Sequence, residues 1–187
     1  MRINFRKTSD RTLETSILRD DGVTVQLRGS YRKSELPHDL SHYVVEAELR
    51  LEGGFWGCIE RGALFPGVTV ISGRQRPGAN PRSQALLRAT HRERGASEFL
   101  VEAFRAAARI RDPALRFAKL VSPEVQQWFP GQVDKNTRRR IVERLLILEG
   151  RWQELSEGAS ITLFWPLRGI RTPQPSDRSG SRLRWAR

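Results

Sequence analysis

The sequence predicts an α+β domain, in which a small antiparallel sheet made by an N-terminal hairpin and a C-terminal strand packs against a helical layer. Three observations carry this. Apolar residues alternate with polar ones through Leu13, Thr15 and Ile17, and again through Val23, Val25 and Leu27, on either side of Asp20-Asp21-Gly22; this is the pattern of a β-hairpin. Alternation returns near the end at Ile161, Leu163 and Trp165, stopped by Pro166. Between the two, apolar residues recur at helical spacing, most clearly at Ile141, Leu145, Leu148, Trp152 and Leu155.

Each element follows from its own residues. Ile3 and Phe5 alternate within residues 2–6 and mark a first strand. In the hairpin, a two-residue loop would put Ile17 on the face opposite Val25 and Leu27. A three-residue loop, Asp20 to Gly22, pairs 17 with 25 and 15 with 27 and keeps the apolar set together. Gly22 then occupies the left-handed position that glycine adopts cheaply. Pro37 and Asp39 suit the first turn of a helix over 37–51, with Leu40, Tyr43, Val44, Ala47 and Leu51 as its stripe. Gly53-Gly54 ends that helix, and a short one follows over 55–61. Residues 68–82, with Gly73, Pro77, Gly78 and Pro81, read as a mobile basic loop. Helix returns over 83–91, is interrupted at Gly95, and resumes from Ser97 to Ile110. Asp112-Pro113 opens another through Val121, Ser122-Pro123 a single turn, and Asp134 caps the long helix, about 135–155. Residues 1–166 thus form one domain, and 167–187, without periodicity, a disordered basic tail.

Composition excludes several classes. A single cysteine, Cys58, rules out an internal disulfide and a CxxC zinc site. No apolar run approaches the ~18 residues of a membrane span, and the N-terminus has no signal-peptide pattern, so a soluble cytoplasmic protein with no membrane partner is expected. The net charge of +12 suggests nucleic acid, yet 29 of the 33 basic residues are Arg, a skew that GC-rich coding produces by itself. Of that charge, +5 lies between Arg168 and Arg187. The denser remaining set is Arg74, Arg76, Arg82, Arg88, Arg92 and Arg94. It is a candidate surface for a protein partner or a nucleic-acid backbone, and without base-stacking aromatics its binding would be strongly salt-dependent. Arg138-Arg139-Arg140 with Arg144 reads as a solvated helix face in preference to a phosphate patch.

The stretch Leu36-Pro37-His38-Asp39-Leu40-Ser41-His42-Tyr43-Val44-Val45-Glu46 holds the sharpest chemistry. His38 and His42 stand one helical turn apart on one face, the spacing that lets two imidazoles of an HExxH helix share a zinc ion. Here the acid between them is Asp39. Asp39 or Glu46 is a candidate general base. Glu46 is either a third ligand or a hydrogen-bond partner that holds His42 from behind, and with His91 and Cys58 also candidates the third ligand stays undetermined. Against a metal site stand the shorter reach of aspartate, the position of His38 in a fraying first turn, and Val45 and Leu49 on the same face. In the plainer alternative, His38 and Asp39 dress the helix start and His42 bonds inside the fold. Gly53-Gly54-Phe55-Trp56-Gly57 is either a ligand loop with an aromatic wall or a helix stop whose aromatics plug the core.

The LPHDLxHxxVE segment followed by this GFWG turn resembles a group of bacterial proteins with no established activity. The resemblance implies a shared fold unit and a candidate surface, and transfers no catalytic residue. With only a pair of ligands in view, the sequence favours a non-enzymatic binding or interaction module that needs no cofactor. The alternative is a metal-dependent hydrolase holding Zn²⁺ on His38 and His42.

Overall fold

The computed structural model describes residues 1–32, 35–129 and 133–165. Five strands form one antiparallel sheet: β1 (Arg2–Lys7), β2 (Thr12–Leu18), β3 (Thr24–Ser30), β4 (Thr69–Ser72) and β5 (Ser160–Phe164), in the order β4-β3-β2-β1-β5. The α+β architecture is therefore as the sequence predicts. The hairpin has the register that side-chain facing demands, with Ile17 opposite Val25 and Thr15 opposite Leu27. The Arg19 N–H donates to the Val23 carbonyl across the three-residue loop, and Gly22 has φ +79°. β5 lies beside β1, with Ile3 opposite Leu163, so the two ends of the domain close on each other.

Among the described residues there are seven helices besides the sheet: α1 (His38–Leu49), α2 (Phe55–Glu60), α3 (Ala79–Ala89), α4 (His91–Ala108), α5 (Pro113–Leu120), α6 (Pro123–Gln126) and α7 (Lys135–Glu154). Asp112 and Asp134 cap α5 and α7 by accepting the backbone N–H groups of Ala114, Leu115 and Thr137. On the sheet, Phe5 meets Trp56 edge-to-face at 5.5 Å and Tyr31 meets Trp152 at 5.2 Å. The Tyr43 hydroxyl donates to the Phe164 carbonyl at 2.6 Å, tying α1 to β5. α4 packs on α1 and α7 through Leu100, Phe104 and Ala107, all fully buried.

Three expectations need correction. Part of the 68–82 loop is strand: Val70 pairs with Val25 and packs against the core, which makes β4 the sheet edge. Gly95 does not interrupt α4. A side chain there would meet nothing within 4 Å, so the glycine costs only its propensity, about 1 kcal/mol, and the break falls at Thr90 instead. Arg138 and Arg144 are not on a solvated face. Arg138 donates to the carbonyls of Val133 and Leu120 and to Gln126, and Arg144 pairs with Glu48. Residues 167–187 lie outside the described residues. No helix among the described residues is long and apolar enough to cross a membrane.

Candidate metal centre

α1 begins immediately after Pro37, whose extended backbone leads into the helix, so His38 and His42 occupy its first two turns. Their Nε2 atoms face each other at 3.0 Å, with ring centroids 4.6 Å apart. A third group comes from α4. Glu98 places Oε1 3.0 Å from His38 Nε2 and Oε2 3.0 Å from His42 Nε2. These three side chains can each offer one ligand atom to a common point. For comparison, ligands 2.0–2.1 Å from a tetrahedral zinc are about 3.3 Å apart, so a small outward relaxation would admit the ion.

The orientation of His42 is imposed from behind. Its Nδ1–H donates to Glu46 Oε1 at 2.9 Å, which leaves Nε2 as the nitrogen presented to the cleft. Glu46 is fully buried and held by three further donors: the N–H groups of Phe55 and Trp56, each at 2.8 Å, and the Ser97 hydroxyl at 2.7 Å. Gly54 makes this approach possible, since a Cβ there would lie 2.6 and 2.7 Å from the two carboxylate oxygens. The histidine helix and the GGFWG turn are thus one unit, joined at the Glu46 carboxylate. Its two aromatics divide their roles: Trp56 is buried and donates its Nε1–H to the Asp39 carbonyl, while Phe55 lines the cleft.

Electrostatics follow the same arrangement. Burial disfavours a charged His42, but the hydrogen bonds to Glu46 and Glu98 outweigh it and push the imidazolium up to about 9. The bond from His42 brings Glu98 down to about 2, against a smaller opposing effect of burial. Without metal, a proton on His42 Nε2 occupies the place that a cation would take. Burial raises the Asp39 carboxyl, and the neighbouring His42 and His38 charges oppose that rise. The Asp39 carboxylate accepts no hydrogen bond among the described residues. It faces the open cleft of about 470 Å³ that the triad lines. Phe55 and Phe65, 4.8 Å apart, form an apolar wall, and His91 and Arg94 complete the opening.

The predicted site residues separate accordingly. His38 and His42 come together as expected, and Glu46 supports His42 instead of facing the cleft. His91 lines the cleft outside the triad. Cys58 is buried against Thr90 and the Gly53 carbonyl, and burial raises its thiol. Arg94 reaches the cleft; Arg74, Arg76, Arg82, Arg88 and Arg92 are exposed around β4, α3 and the start of α4. The candidate ligand that the sequence reading missed is Glu98. Its only trace is a polar stripe on α4, Arg94, Glu98 and Glu102 at i and i+4 spacing, which looks the same as a solvated helix face.

No family model matches the chain, and no curated protein or solved structure matches it either. The site's chemistry therefore rests on its own geometry.

Proposed function

We propose that this protein is a metal-dependent hydrolase with a mononuclear His38–His42–Glu98 centre. The observation that carries the reading is the convergence of two imidazole nitrogens and a carboxylate on one point, with a fully buried Glu46 fixing the inner imidazole. Histidine-rich N/O donor sets of this kind suit Zn²⁺ and its divalent neighbours, and three protein ligands leave a position open for water or substrate. A metal held there would supply a Lewis acid able to polarise a carbonyl or phosphoryl oxygen. Asp39, beside His38 and facing the same cleft, is the group to take the proton of an attacking water. Glu46 keeps His42 in one tautomer, and Phe55 and Phe65 shield one side of the site from solvent.

The test is hydrolysis of a panel of chromogenic carboxylic and phosphoric esters by protein loaded with Zn²⁺, Mn²⁺ or Co²⁺. The reading expects activity that chelation removes. It also expects Asp39→Asn to lower kcat by roughly 10²- to 10⁴-fold with metal content unchanged. Activity indifferent to chelation, or an Asp39→Asn variant as fast as wild type, would contradict it.

A second reading, a nucleic-acid-binding module, is favoured by one observation. Arg74, Arg76, Arg82, Arg88 and Arg92 are exposed and form no ion pair among the described residues. It expects DNA or RNA affinity that falls steeply with salt, and absence of binding at low salt would remove it.

A further inference from the structure

The cleft has a second polar end whose charge is uncompensated. Arg94 is fixed there by two contacts: its Nη2 donates to the Leu87 carbonyl at 2.7 Å, and its guanidinium lies 5.6 Å from the Phe65 ring centroid. It makes no ion pair among the described residues, and its buried Nε has no hydrogen-bond partner. The buried arginines elsewhere have partners for their charge, Arg19 in Asp21, Arg144 in Glu48, and Arg138 in three oxygen acceptors. The half-buried Arg94 differs from Arg19 and Arg144 in lacking an acid; its Nε does not set it apart, since the Arg105 Nε is also buried without a hydrogen bond. The acid that Arg94 would ordinarily take is Glu98, one turn further along α4. Glu98 is turned instead to His38 and His42. A guanidinium held in place over an aromatic ring and lacking an acidic partner is a preorganised receptor for a planar or tetrahedral oxyanion. His91, exposed at the same opening, adds further ring nitrogens.

We infer that Arg94, with His91, binds an oxyanion group of the substrate, a phosphate or a carboxylate, while the bond to be cleaved lies at the His38–His42–Glu98 end. Arg94 and Glu98 are four residues apart on one helix, so their backbones are about 6 Å apart along its axis. The cleft of about 470 Å³ suits a small molecule. Between its two polar ends stand Phe55 and Phe65, which favour an apolar or planar body next to the anionic head. The inference deepens the hydrolase reading and rests on it for the position of the scissile bond. The oxyanion site itself is testable without metal.

The experiment titrates the full chain, metal-free and zinc-loaded, with inorganic phosphate and separately with succinate, following the Arg94 Nε–H resonance and the heat of binding. Saturable binding is expected in both forms. It should weaken at least tenfold in Arg94→Gln and a few-fold in His91→Gln, and stay unchanged in Arg88→Gln on the outer face of α3. Zinc content should remain at the wild-type level in all three. The anion that binds more tightly identifies the head group. Should Arg94→Gln fail to fold, Arg94→Lys keeps the charge without the planar fork and is expected to bind more weakly than wild type. Binding that survives Arg94→Gln, that falls equally in Arg88→Gln, or that requires zinc and ignores Arg94 would overturn the assignment. So would the absence of saturable binding to wild type. Arg94-dependent binding in a chain that takes up no zinc would instead sink the metal reading and leave the oxyanion site standing.

Discussion

Two glutamates two residues apart on α1 are both buried, yet they sit in opposite kinds of environment. Glu48, with its side chain 3% exposed, is neutralised by Arg140 and Arg144 of α7. Those partners are permanently charged, and the network joins two helices. Glu46 is fully buried among backbone N–H groups, a hydroxyl and an imidazole. Its ionisable partner among the described residues, His42, presents its other nitrogen to an open cleft beside His38 and Glu98. A buried carboxylate is thus no marker of function by itself. What distinguishes Glu46 is that its partner is an imidazole open to the cleft, the group that on the proposed reading exchanges a proton for a metal.

Removing either carboxylate should produce the largest effect on stability and the clearest separation in function. Glu46→Ala and Glu48→Ala each leave buried donors or charges without a counterpart, and each should cost roughly 3–5 kcal/mol in denaturant unfolding. Only the Glu46 variant should also lose zinc affinity, and in the milder Glu46→Gln that loss should be about 10- to 100-fold. Equal loss of zinc affinity in both variants would erase the contrast.

Substitution at the open end should have the reverse profile. The Glu98 side chain is 56% exposed, so solvent screens its pairing with His42 and Glu98→Gln should cost the metal-free chain less than either α1 variant does. The rise in Tm on adding zinc should nevertheless disappear. A Glu98→Gln variant still stabilised by zinc to the wild-type extent would remove Glu98 from the ligand set.

Gly54→Ala sharpens the comparison at its joint. The added methyl would press on the Glu46 carboxylate, which four donors hold in place. The expected cost is about 1–3 kcal/mol, accompanied by weaker zinc binding. Gly150→Ala, where a Cβ meets nothing within 4 Å, is the matched control and should not destabilise.

The smallest effect expected is that of pH on the metal-free chain. His42 has a folded value raised from 6.5 to about 9, so its contribution to stability is complete below about 6.5 and is lost as pH climbs through 9. Glu98, lowered from 4.5 to about 2, contributes fully above about 4.5 and loses that contribution as pH falls through 2. Denaturation midpoints measured across pH should show the alkaline decline, and His42→Gln should flatten it. Zinc uptake near neutral pH should release a proton, since metal and proton compete for His42.

The fold was largely legible because its signals are local. Alternation at Leu13–Leu27 set the hairpin register, and the period of Ile141 to Leu155 marked α7. β4 was not legible, because four residues among glycines and prolines become strand only by pairing with β3. Two of the three candidate ligands were legible for the same reason, since His38 and His42 are neighbours one turn apart. Glu98 reaches them from a helix 56 residues beyond His42, through packing of α4 on α1 that no local pattern encodes. The bond from His42 to Glu46 was one of two readings open from their spacing. What local pattern could not show is that the Phe55 and Trp56 N–H groups turn back to hold that carboxylate.

The central claim is that the imidazole held by Glu46 belongs to a metal site. Titration of the chelator-stripped full chain with Zn²⁺ by calorimetry, alongside His42→Ala and Glu98→Gln, tests it most directly. The account predicts close to one equivalent bound by wild type and none bound tightly by either variant, with the circular dichroism of all three alike. A wild-type chain that binds no zinc, and whose Tm does not move in excess zinc, would contradict it and leave His42 as a buried imidazolium shared by two carboxylates.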